Sequence, residues 1–229
     1  TKADTKNKEE VLKGLKPGLN RLVWNLRYPD AEGFDGLILW AGGLTGPKAV
    51  PGTYKVRLTV NGISQETAFD VLKDPRTAGS QQDIVEQFEF LKSVGSKLTE
   101  THQAIKKIRT AREQITRVTE PMKGKDELSE ISKQAKQILD QMQKIEEALY
   151  QTKNRSGQDP LNFPVRLNNK LAALNAEASS SDFRPNQQTK AVYQEITGQI
   201  NQQLSDLEKI FSNDVPKLNE LVRMKQINA

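Results

Sequence analysis

At 229 residues the chain is long enough for one large or two ordinary domains, and its lack of cysteine excludes disulfides, thiol nucleophiles and thiolate metal sites. Its hydrophobic fraction is 35% and its charged fraction 28%, and no apolar run is long enough to span a bilayer, so membrane insertion is not expected. The net charge of +5 is spread along the chain, with 11 basic against 9 acidic side chains up to Pro75 and 23 against 20 beyond it. These cations alternate with Glu, Asp and Gln, whereas a nucleic-acid binder gathers them with aromatics on one basic face.

Residues 1–10 carry Ala3 as their only apolar side chain and read as a linker. Pro17-Gly18 then turns the chain into residues 19–28, where Leu22, Trp24 and Leu26 alternate with polar neighbours and predict a strand. Tyr28-Pro29-Asp30 ends it, and Gly33 and Gly36 frame a loop before the apolar run Leu37-Ile38-Leu39-Trp40. Residues 41–52 form a long glycine- and proline-rich connection.

The strongest local signal follows. Tyr54, Val56, Leu58 and Val60 alternate with Lys55, Arg57 and Thr59, Asn61-Gly62 suits a type I′ turn, and Ala68, Phe69 and Val71 continue on the return before Asp74-Pro75. This predicts a β-hairpin. Short strands separated by turns predict an immunoglobulin-like β-sandwich over residues 1–75.

Beyond Pro75 the period changes to that of helices, which predicts an antiparallel, mostly four-helix bundle over residues 76–229 and an α+β, two-domain chain. Ser80 and Asp83 are placed to cap a first helix carrying Ile84, Phe88, Leu91, Leu98, Ile105, Ile108 and Ile115. Pro121 and Gly124 turn the chain into a second helix, with Leu128, Ile131, Ala135, Ile138, Met142, Ile145 and Leu149 in a regular three-four repeat. Leu167, Leu171 and Leu174 mark a shorter third helix. Pro185 opens a fourth through Val192, Ile196, Ile200, Leu204, Leu207 and Phe211, and Pro216 interrupts or restarts it before Leu218.

Several separated blocks have a recognisable character: Gly18-Leu19-Asn20-Arg21, Val23-Trp24-Asn25-Leu26-Arg27-Tyr28-Pro29, Leu39-Trp40, Gly46-Pro47, Pro51-Gly52-Thr53-Tyr54, Gln87-Phe88, His102-Gln103-Ala104-Ile105 and Phe163-Pro164-Val165-Arg166-Leu167-Asn168-Asn169. Together they resemble the C-terminal region of secreted bacterial sortilin-type or glycosyl-hydrolase BNR-repeat proteins. The resemblance implies an immunoglobulin-like domain and helical tail that follow a large β-propeller. It also implies export to the periplasm, cell surface or medium, with that upstream propeller as partner. No catalytic motif of that family maps onto this chain, so the implied role is a non-catalytic accessory region, acting in domain packing or binding of a protein partner.

Few residues suggest chemistry of their own. His102 is the only histidine; its spacing from Leu98 and Ile105 puts it beside the buried stripe of the first helix, and no second His or Cys stands at metal spacing. No Gly-x-Ser-x-Gly or phosphate-binding glycine motif occurs, and Gly43 and its neighbours read as a connecting loop. The acidic pairs Glu146-Glu147 and Asp206 with Glu208 are expected on exposed helix faces among lysines, unlike the desolvated carboxyl of a glycosidase. Asn154-Arg155-Ser156 matches a glycosylation sequon and marks a surface loop.

Trp24 and Trp40 are candidates for sugar stacking as well as for core packing. With Gly43 they define an alternative function, a carbohydrate-binding module that assists a glycoside-active parent. Arg166, Asn168 and Asn169 form a polar cluster at the start of the third helix, expected either to cap and cross-link the bundle or to dock the β-domain or a partner, with His102 nearby. Neither cofactor nor metal is expected.

Overall fold

In a computed structural model, the described residues are 16–122 and 128–225, so the linker reading of residues 1–10 and the turn position Gly124 lie outside the described residues. The long first helix, α1 (Gln81–Thr119), starts at a capping box: Ser80 Oγ accepts from the Asp83 N–H, and the Asp83 carboxylate accepts from the Ser80 N–H at 2.9 Å. These bonds to Ser80, with Arg184 alongside, hold the Asp83 carboxyl below the usual carboxylate range. At 1.5 Å per residue, α1 runs about 58 Å. A rod of that length needs partners along its apolar stripe, and Val94, Leu98, Ile105 and Ile108 are fully buried.

Those partners are α2 (Ser129–Leu149), α3 (Leu167–Ala178) and α4 (Gln187–Lys209), the last capped by Asn186 Oδ1, which accepts from the Thr189 N–H at 2.8 Å. A π-helical turn at Ile210–Asp214 joins α4 to α5 (Val215–Met224). Pro216 has no N–H to give to the turn before it, and the wider turn, in which the Val215 N–H reaches Ile210 O, absorbs that defect. Ile131, Ile138, Met142, Leu149, Leu171 and Ile200 complete the core between these helices.

Strand β1 (Gly52–Val60) pairs antiparallel with β2 (Ile63–Val71) in one unbroken register, from Gly52 opposite Val71 to Val60 opposite Ile63. Asn61 and Gly62 have φ of 51° and 80°, the left-handed pair that a type I′ turn requires. One face carries Arg57 and Lys55 paired with Glu66, Thr53 bonded to Asp70 and Thr59 to Ser64. The other carries Tyr54, Val56, Leu58 and Val60 on β1 and, opposite them, Phe69, Thr67, Gln65 and Ile63 on β2.

The expected immunoglobulin-like β-sandwich over residues 1–75 is not formed. Among the described residues the sheet has only these two strands, and the structure is dominated by helix. Residues 19–26 are exposed and unpaired, touching the rest of the fold chiefly through Trp24 and through the Ala49 N–H donating to Leu26 O at 2.7 Å. Their alternation is that of a strand, but alternation supplies no neighbour, and a strand without a ladder is only extended chain. Arg27 and Lys48 make one isolated antiparallel bridge. The run 37–40 lies against the helices instead of in a sheet.

The glycine-rich connection is built into this packing. A Cβ at Gly46 would stand 2.0 Å from the Tyr28 carbonyl oxygen, and one at Gly42 would stand 2.9 Å from the Ala172 backbone, whereas one at Gly43 would find its nearest neighbour, Thr45 Oγ1, 4.0 Å away. Gly46→Ala therefore forces the loop off residues 28–29 at a cost of about 2–4 kcal/mol, and Gly43→Ala stays within about 0.5 kcal/mol of the parent. Urea denaturation of the two variants measures the difference; equal midpoints would show that the loop moves freely.

Candidate functional site

Three asparagines on α3 organise the region where the irregular N-terminal chain meets the helices. Asn169 clamps Trp40 from both sides: Oδ1 accepts from the Trp40 N–H at 2.7 Å and Nδ2 donates to the Trp40 carbonyl at 2.8 Å. Two turns along, Asn175 Nδ2 donates to Gly43 O at 3.2 Å and Thr45 O at 2.9 Å. Asn168 faces α1 and donates to His102 Nε2 at 3.3 Å. None of the cluster caps α3, whose N-cap residue Arg166 makes no side-chain capping bond and lies exposed.

His102 is fully buried. Its Nδ1–H donates to the Glu32 carbonyl at 2.7 Å and its Nε2 accepts from Asn168, which fixes the neutral tautomer. Burial pushes its pKa down and the nearby Lys106 ammonium adds to this, while the Glu32 carbonyl bond and carboxylate pull the other way. The Phe34 ring meets the imidazole edge to face at 5.2 Å. The arrangement suits a structural strut, since the imidazole has both nitrogens engaged.

Beside it lies a buried charge that the helical pattern hid. Glu146 was expected on an exposed face, but it is buried, and its carboxylate accepts from Arg109 Nε at 2.7 Å and Arg112 Nη1 at 2.9 Å. Arg109 also lies over the Phe34 ring at 4.6 Å and the Tyr150 ring at 5.6 Å. The signal was present in the spacing, since Glu146 follows the buried Met142 by four residues and so falls on the helix seam. Asp206 is half-buried, while Glu208 is exposed, and Lys209 and Gln202 hold the Asp206 carboxyl below the usual range. Asn154, the acceptor of the sequon, is buried, which removes it as an accessible glycosylation site in the fold.

The two tryptophans have different immediate neighbours. Trp24 joins Tyr54 at 5.5 Å and Phe69 at 6.2 Å on the apolar face of the hairpin, and its indole N–H donates to Arg27 O at 3.0 Å. Trp40 is held at α3 by Asn169, and both rings are partly exposed, at 40% and 38%. Tyr54, missed in the sequence as a link, donates to Val50 O at 2.7 Å; burial and the neighbouring Tyr28 raise its pKa, and Tyr28 packs on Phe88 of α1 at 4.8 Å. Gly43 lies in the loop held by Asn175, and no cluster of metal-ligating side chains occurs among the described residues.

The chain matches no protein-family model, no characterised protein and no solved structure. No described helix is long and apolar enough to cross a membrane.

Because the folded protein binds a proton at His102 less readily than the unfolded chain does, stability is full above the ordinary histidine pKa of about 6.5 and falls as pH drops below it. The slope is at most one proton, about 1.4 kcal/mol per pH unit. Urea midpoints of the parent should fall between pH 7.5 and pH 5, and those of His102→Gln should stay flat over the same range, above the titration of the carboxylates. Parallel slopes would show that His102 is not the titrating group.

Proposed function

We propose that the chain is a non-catalytic docking module, in which the helices form a rigid base and the hairpin presents an apolar face to a protein partner. The observation that carries this reading is the asymmetry of the hairpin. Its polar face is closed by its own ion pairs and hydrogen bonds, while Val56, Leu58, Val60, Ile63, Phe69 and Trp24 on or beside the other face are all exposed, Leu58 by 51% and Ile63 by 73%. An exposed apolar row of this kind, continuous along β1 and flanked on β2 by Phe69 and Ile63 with Thr67 and Gln65 between them, marks an interaction surface. The β-propeller that the sequence resemblance places upstream in an exported parent is the first candidate partner.

The alternative, a carbohydrate-binding module with Trp24, Trp40 and the loop around Gly43 in one site, draws its support from the exposed aromatic cluster of Trp24, Tyr54 and Phe69. Trp40 and Gly43 are bonded to α3, whereas Trp24 packs on the hairpin, so this reading needs a ligand that spans both.

The full chain immobilised as bait should retain the separately expressed propeller region. The double change Val56→Lys and Leu58→Lys, at half-exposed positions, should cost about 1.5–3 kcal/mol of stability and, in chain that circular dichroism shows still folded, should weaken retention at least tenfold, about 1.4 kcal/mol. Retention unaffected by those changes would remove the hairpin as the docking surface, and hydrolysis of a glycoside or peptide by the purified chain would remove the non-catalytic reading.

A further inference from the structure

A second feature stands apart from the docking face and does not rest on it. Arg27 and Lys48 sit directly opposite each other in the isolated antiparallel bridge, a placement that brings cross-strand side chains to the same face with Cβ atoms about 5 Å apart and is unfavourable for like charges. Arg27 is half-buried and steered by one bond from Nη1 to Gly46 O at 2.8 Å. Neither cation forms an ion pair among the described residues. Both line a cavity of about 540 Å³ between the glycine-rich loop, α1 and the end of α3, within the roughly 300–1,000 Å³ of small-molecule sites.

The wall supplied by α3 and its exit has the opposite chemistry. Asn175, only 6% exposed, spends its amide N–H groups on the loop carbonyls, and its Oδ1 accepts no hydrogen bond among the described residues. Ser179, Ser181 and Asp182 line the same cavity, and the Asp182 carboxylate lies beyond ion-pair distance of Arg27 and Lys48. Two unpaired cations on one side thus face several oxygen acceptors on the other. A simple anion satisfies only the first set, and a neutral polyol only the second.

We propose that this cavity binds a small sugar acid. The ligand carboxylate lies between the Arg27 guanidinium and the Lys48 ammonium, where it relieves their mutual repulsion. Its hydroxyls donate to Asn175 Oδ1 and the Asp182 carboxylate, with the hydroxyls of Ser179 and Ser181 in reach. The rigid loop keeps the cavity open, because Gly42 lies tight against Ala172 and Gly46 against Tyr28.

The test is calorimetric titration of the full chain with glucuronate, set beside glucose, acetate and inorganic phosphate at the same millimolar concentrations. Glucuronate should bind, and the other three should bind at least tenfold more weakly. Lys48→Glu, at an exposed position, places an opposite charge across from Arg27 and so should weaken glucuronate at least tenfold without lowering the thermal midpoint, and Lys48→Arg should bind glucuronate as the parent does. Asp182→Asn should weaken glucuronate and leave acetate unchanged. No glucuronate binding, phosphate or acetate binding as tight as glucuronate, or binding indifferent to Lys48→Glu would each overturn the proposal.

Discussion

The fold depends on how an irregular stretch of backbone is kept paired. Residues 31–48 cross the face of the helices without a sheet to receive their N–H and C=O groups, and each such group left unsatisfied in the interior costs about 1–3 kcal/mol. Side chains from the helices take the place of neighbouring strands. Thr99 Oγ1 accepts from the Glu32 N–H and His102 takes the Glu32 carbonyl. The Tyr150 hydroxyl accepts from Ile38 and donates to Gly36 O. Asn169 takes both backbone groups of Trp40, and Asn175 takes Gly43 and Thr45. An asparagine amide offers the same donor and acceptor pair as a peptide group, which is why α3 can act as a surrogate strand.

That substitution determines the electrostatics behind it. With residues 31–40 held down, Phe34 is fixed between the His102 edge and the Arg109 guanidinium, and Arg109 is fixed in turn against Glu146. A buried carboxylate is tolerated because two arginines, themselves still reached by solvent, compensate it with charge-assisted hydrogen bonds. The clamp also sets the cavity beside Gly43, since the loop that bounds it is held at one end by Asn175 and at the other by the Arg27–Lys48 bridge.

What the sequence made legible was whatever is local. The hairpin follows from alternation and the Asn61-Gly62 turn, and the helices from three-four spacing and the Ser80 box, all of which act over a few residues. The β-sandwich failed because Leu22, Trp24 and Leu26 have a strand's pattern but no strand beside them, and partner availability is a non-local property. The pairing of Asn168 with His102, of Asn169 with Trp40 and of Glu146 with Arg109 spans 37 to 129 residues of chain. Composition near a helix start could mark Asn168 and Asn169 as a cluster, but it could not say which carbonyls they would meet. For Glu146, its place on the seam was readable, while the arginines opposite it were not.

The hairpin is the one element to which this internal pairing does not extend. It is tied at its base, where Gln81 Nε2 donates to Pro51 O and Tyr54 reaches Tyr28, which in turn packs on Phe88, while the turn at Asn61-Gly62 projects away. Six side chains on and beside its apolar face are about half exposed; completing the burial of each recovers roughly half of the 1.5–3 kcal/mol of full burial. The total, on the order of 5–9 kcal/mol, is comparable with the about 4–15 kcal/mol that free association costs in lost translation and rotation. A freely diffusing partner must therefore add the apolar surface that it buries in its turn. A partner tethered in the same polypeptide would meet it at an effective concentration in the millimolar range and avoid most of that cost.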